Sequence, residues 1–148
     1  MWVCLKNKIL GIVCLAKVAI EVVYICQNIK CTLWLNREKM FQFIQQQDQL
    51  ADVLSIMNQC SVYGLDTEFI KVDTLWPKLG VFQINLNGTV FLLDGATLDL
   101  SEFWNKLFAA EQNVFHACGE DIDLIYHYAQ RKYLDNVFDT QVGLSFLG

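Results

Sequence analysis

V-Y-G-L-D-T-E-F, residues 62 to 69, decides the fold. Side chains alternate along a strand, so Val62, Gly64, Asp66 and Glu68 share one face and Tyr63, Leu65, Thr67 and Phe69 the other. The second face can pack on a core. On the first, Asp66 and Glu68 are neighbours beside a glycine that leaves open room. Two carboxylates so placed repel each other unless a proton or a cation sits between them. Hard divalent cations such as Mg²⁺ or Mn²⁺ take oxygen ligands of this kind. A solvated acidic pair near a strand end has the same local pattern, so the motif alone does not separate the two.

A second carboxylate signal lies downstream, in a helix expected over 119–130. At about 100° per residue, Glu120, Asp123, His127, Gln130 and Arg131 fall on one polar face. Asp121 does not, being in phase with Leu124, Ile125 and Tyr128, which points it inward. An inward carboxylate is costly unless it is paired, hydrogen-bonded or bound to metal. A capping role at the helix N-terminus is the plainer alternative.

The elements between and around these are readable. Phe41 to Ile44 suits a short edge strand. Asp48 to Asn58 carries Leu50, Val53, Leu54 and Met57 at helical spacing. Residues 71–78 read as a loop holding the single proline, Pro77. Leu79 to Leu86 and Thr89 to Leu93 flank Asn87-Gly88, a two-residue hairpin signal. A helix is expected over Ser101 to Ala110, a short buried strand over Val114 to Ala117, and a strand at Val137 and Phe138. A last helix should start at Thr140, with Asp139 near its N-cap. This order suits an α/β domain with a mixed sheet flanked by helices.

Three segments together resemble bacterial ribonuclease D. They are Y-G-L-D-T-E-F-I-K-V-D-T-L-W-P-K-L-G-V-F-Q-I-N at 63 to 85, H-A-C-G-E-D-I-D at 116 to 123, and V-F-D-T-Q at 137 to 141. Ribonuclease D belongs to the DEDD 3′-to-5′ exonucleases, which have a ribonuclease-H-like fold. The resemblance runs from about Met40 to the last residue, in order and spacing, and leaves out residues 1 to 39. It implies a ribonuclease-H-like mixed sheet, truncated at its C-terminus, and a partial 3′–5′ exonuclease domain over 40–148.

The resemblance also implies the chemistry. Asp66, Glu68 and Asp121 match the family's first three acidic ligands for two divalent ions, Mg²⁺ or Mn²⁺. Such ions, about 3.5–4 Å apart, activate a water and stabilise the leaving 3′ oxygen. Asp66 would touch both ions, Glu68 the ion nearest the water, and Asp121 the other. Thr67 and Phe69 match positions against the terminal nucleotide, whereas core roles are expected for Trp76, Gln83 and His116. The implied substrates are RNA 3′ ends such as those of tRNA precursors, released as nucleoside 5′-monophosphates, with DNA left open. The family's third motif, a fourth aspartate and a tyrosine that orients the water, has no match, and Asp139 occupies a structural position. The chain is thus expected to be a fragment with poor activity of its own. The rival expectation is a non-catalytic nucleic-acid-binding module of the same fold.

Composition divides the chain. Residues 1 to 39 hold six Lys or Arg against two Glu, while residues 40 to 148 hold five against 14 Asp or Glu, net −9. Such an acidic body is awkward for phosphate binding unless metal ions offset it locally. In residues 1 to 35, 25 are apolar or aromatic. This stretch has signal-peptide features, and Lys17 and Glu21 make it a poor membrane span. It is expected to be an extension outside the fold, placed upstream by a misplaced start. With Cys60 and Cys118 isolated, reduced thiols are expected, in a cytoplasmic protein with no stable membrane partner. Oligomeric state is not legible.

Overall fold

The sheet is organised around strand β2, Val62–Ile70, in which the expected alternation holds: Tyr63, Leu65 and Thr67 are buried while Gly64, Asp66 and Glu68 are partly open. The structure, a computed structural model, describes residues 41–71 and 76–147, so the expectations for residues 1–39 lie outside it. Six strands form one mixed sheet: β1 (Phe41–Ile44), β2, β3 (Lys78–Leu86), β4 (Thr89–Asp94), β5 (Gln112–Phe115) and β6 (Val137–Asp139). Their order is β1-β4-β3-β2-β5-β6. Strand β3 runs antiparallel to β2 and β4, while β1 joins β4, β5 joins β2 and β6 joins β5 in parallel. With helices α1 (Gln47–Met57), α2 (Ser101–Ala109), α3 (Gly119–Ala129) and α4 (Thr140–Ser145), this is the flanked mixed sheet that the resemblance implies.

Local chemistry explains the element ends. Asn87 and Gly88 both take positive φ, 52° and 90°, as a two-residue hairpin turn of the primed kind requires. The Gln49 side chain accepts from the backbone N–H groups of Gln45 and Gln46 at 3.1 and 3.2 Å, which starts α1. Asp139 caps α4, its side chain accepting from Gln141 N and Val142 N.

One face of the sheet packs on α1 and α2. Phe82 meets Phe103 and Trp104 edge-on, with centroids 5.0 and 5.4 Å apart. Burying a side chain of this size contributes roughly 1.5–3 kcal/mol. The Tyr63 hydroxyl donates to the Met57 carbonyl at 3.0 Å, tying the start of β2 to the end of α1. Among the described residues, no helix is long and apolar enough to cross a membrane.

Two irregularities bear on the site. The β2–β3 register shifts between Glu68 and Phe69, where Gly80 is the extra residue on β3. A Cβ at Gly80 would come within 3.2 Å of the Glu68 carbonyl oxygen. The shift is a bulge, which re-aims side chains locally. Ala117 takes φ 59°, so β5 ends at Phe115 instead of running to Ala117.

Candidate active site

Asp66 lies mid-strand on β2, directly opposite Gln83 of β3. The Gln83 amide Nε2 donates to Asp66 Oδ2 at 2.9 Å. Asp121 reaches the same neighbourhood from the first turn of α3, and the helical phase holds: Asp121, Leu124 and Ile125 are buried, while Glu120 and Asp123 are exposed. Asp121 is 9% exposed, and the hydroxyl of Thr67 donates to its Oδ1. That bond joins the middle of β2 to the start of α3 and satisfies one oxygen of an otherwise unfavourable buried carboxylate.

The carboxylates sense one another. Burial raises the Asp66 carboxyl from 3.8 to about 7, and the negative charges of Asp121 and Glu68 add to the rise. Burial also raises Asp121, but hydrogen bonds from the Thr67 hydroxyl and backbone oppose this. Thr67 thus favours the charged form of Asp121. Three carboxylates around one half-buried position suit a hard cation in kind and in charge. Among the described residues, however, no three His, Cys, Asp or Glu side chains are arranged to hold a metal ion as they stand. The donor set fits such an ion chemically, without a preformed cage.

The other expected residues fall differently. Thr67 is 6% exposed and engaged with Asp121. Phe69, just past the bulge, is partly buried against the core. Trp76 does not have the expected core role. It is 53% exposed, and its ring stacks on His127 at 4.9 Å and 11°. It lies instead on the polar face of α3, beside His127. His116 is not in the core either. The turn at Ala117 takes it out of strand alternation into an exposed position, where its Nδ1 lies 2.9 Å from Thr140 Oγ1.

Gln83 is buried as expected but is more than filler, because its donor serves Asp66. Sequence reasoning missed this although register was the available signal: residues facing across an antiparallel pair share a face. Tyr126 and Tyr128 are tied to backbone, accepting from Leu134 N at 3.1 Å and Leu79 N at 2.9 Å. Cys60 and Cys118 are free thiols.

A mixed sheet that brings a D-x-E strand against a helix-borne aspartate defines a class. The chain belongs to the 3′–5′ exonuclease family, whose sequence profile matches residues 41–148. Within that family its relatives are ribonuclease D proteins. It is 34% identical to that of Shewanella sp. over 113 residues, 74% of this chain and 28% of the relative. With Haemophilus influenzae ribonuclease D it shares 33% over 110 residues, 73% of this chain and 27% of the relative. The structure of Escherichia coli ribonuclease D, an exoribonuclease involved in structured RNA processing, matches with a TM-score of 0.66 and 26% identity, over 73% of this chain and 29% of that one. Trypanosoma brucei ribonuclease D in complex with RNA U12 shares the fold, with a TM-score of 0.60 at 19% identity, over 72% of this chain and 39% of that one. The chain thus spans under a third of the length of the ribonuclease D relatives from Shewanella and Haemophilus.

Proposed function

We propose that this chain carries the cation-binding half of a 3′–5′ exoribonuclease site, in which Asp66, Glu68 and Asp121 hold divalent ions. The observation that carries it is geometric: the first turn of α3 brings buried Asp121 to the middle of β2, where the Thr67 hydroxyl holds it beside Asp66 and Glu68. Carboxylates gathered in this way gain from a cation between them. When bound, Mg²⁺ or Mn²⁺ supplies an activated water and charge stabilisation at the leaving 3′ oxygen. The residues do the positioning. Thr67 holds Asp121, and Thr67 and Phe69 match the family positions that lie against the terminal nucleotide. Ribonuclease D relatives support RNA 3′ ends as substrate, with tRNA precursors and release of 5′-monophosphates as the finer reading, and a cytoplasmic setting.

Titration calorimetry with Mn²⁺ should show binding that Asp66→Asn abolishes. A 5′-labelled RNA with a single-stranded 3′ tail should shorten in one-nucleotide steps with Mg²⁺, and Asp66→Asn should stop it. Shortening by the 148-residue chain should be slow, because nothing in it matches the water-orienting tyrosine, a type of loss worth about 10²–10⁴ in rate. RNA and Mn²⁺ binding without any Asp66-dependent shortening would favour a non-catalytic binding module.

A further inference from the structure

We propose that Gln83 is a positioning residue for Asp66: its side-chain amide holds one carboxylate oxygen and leaves the other for a cation. The inference rests on the reading of Asp66 as a cation ligand. Three observations converge on it. Gln83 stands directly across from Asp66 in the antiparallel β2–β3 pair, so the two side chains share a face. Its Nε2 donates to Asp66 Oδ2 at 2.9 Å. The side chain is 3% exposed, and its Oε1 is buried with no hydrogen-bond partner.

The third observation separates positioning from packing. An amide placed only to fill the core would leave no acceptor orphaned, because burying one without a partner is unfavourable. Leucine or methionine would occupy the same space, across from Leu92 on β4, at no such cost. In the ionised form of Asp66, the one that takes a cation, the amide cannot turn over, since Oε1 against the carboxylate would set two acceptors face to face. What the glutamine supplies is therefore the N–H toward Asp66. A ligand held by an outer partner keeps its rotamer, and losing such a partner typically weakens metal affinity about 10–100-fold.

The test compares Gln83→Leu and Gln83→Met with wild type in the full chain, by thermal melting without metal and by Mn²⁺ calorimetry. The expected result is a melting temperature equal to or above wild type, with Mn²⁺ bound at least tenfold more weakly. A second measurement works even if both variants fail to fold. The side-chain amide signals of Gln83 in wild type should shift on adding Mg²⁺, and in Asp66→Asn they should not. Wild-type Mn²⁺ affinity in either folded variant, or amide signals indifferent to Mg²⁺ in a chain that binds it, would overturn this inference alone. Failure of the wild-type chain to bind Mn²⁺ would overturn the metal reading and this inference with it.

Discussion

Two buried or half-buried acidic positions flank the point where β5 runs into α3, and they are built in opposite ways. Asp139, at the end of β6, is surrounded by donors. Its carboxylate accepts from Ala117 N at 3.0 Å, Cys118 N at 2.9 Å and Gln141 N at 2.8 Å. Burial pushes its carboxyl up, but those backbone N–H groups and the Cys118 thiol outweigh burial and bring it to about 2. Asp66 has one side-chain donor, the Gln83 amide, and burial with the like charges of Asp121 and Glu68 raises it to about 7. A carboxylate that ties backbone together is satisfied by what the fold provides. One set among carboxylates is left waiting for a charge from outside. Sequence proximity to a motif does not tell these apart, whereas the identity of the surrounding atoms does.

The largest expected effect tests that difference directly. Asp66→Asn should weaken Mn²⁺ binding by 100-fold or more, by order of magnitude for a lost ligand, and should not lower the melting temperature, because it removes a repulsion. Asp139→Asn should do the reverse, leaving Mn²⁺ binding intact while destabilising the chain. Loss of Mn²⁺ binding in Asp139→Asn with full stability would erase the contrast.

The next effect concerns Asp121. Asp121→Asn should reduce Mn²⁺ affinity about tenfold or more, and Asp123→Asn, on the exposed face of α3, should leave it unchanged. Equal losses in the two variants would show that the helix does not present its carboxylates as described.

A smaller effect is the stability cost at Asp139 itself. Replacement by alanine removes the N-cap of α4, worth about 0.5–2 kcal/mol, together with the ties to Ala117 and Cys118. Chemical denaturation should register a loss of at least the cap's share. No loss would mean that the β5–α3 turn holds without the Asp139 bridge.

A further effect is in the pH profile of the metal-stripped chain, where the two positions act with opposite sign. The carboxyl of Asp139 is depressed in the fold, so its stabilisation is complete above about pH 4 and is lost as pH falls through about 2. For Asp66 the folded value is raised. Between about pH 4 and 7 the folded chain then binds the extra proton, and stability declines as pH rises through that window and levels off above it. Asp66→Asn should flatten the upper limb alone, and Asp139→Asn the lower limb alone. Denaturation midpoints measured from pH 2 to 8 in EDTA check both.

Much of this was legible in the chain. The outward phase of Asp66 and Glu68, the inward phase of Asp121, the Asn87-Gly88 turn and the Asp139 cap all follow from the repeat of a strand or helix, or from one residue's backbone preference. Such features depend on neighbours within a few positions, so the order of residues carries them. The same local logic misplaced His116 and Trp76. Aromatic and apolar surroundings in sequence suggested burial, but a left-handed turn at Ala117 moved the histidine out, and Trp76 lies on the polar face of α3 beside His127.

By itself, then, the sequence determined which side chains share a face and that three carboxylates were available, because covalent periodicity settles orientation before any distant contact forms. Only the tertiary structure decided who meets whom. The β2–β3 register set Gln83 against Asp66, and the packing of α3 on β2 gave Asp121 to Thr67. The bulge at Gly80 separated Glu68 from Phe69. These partners lie 17 and 54 residues apart along the chain. Their pairing depends on how strands align and helices dock, a choice made by the packing of the whole sheet and invisible to any local pattern.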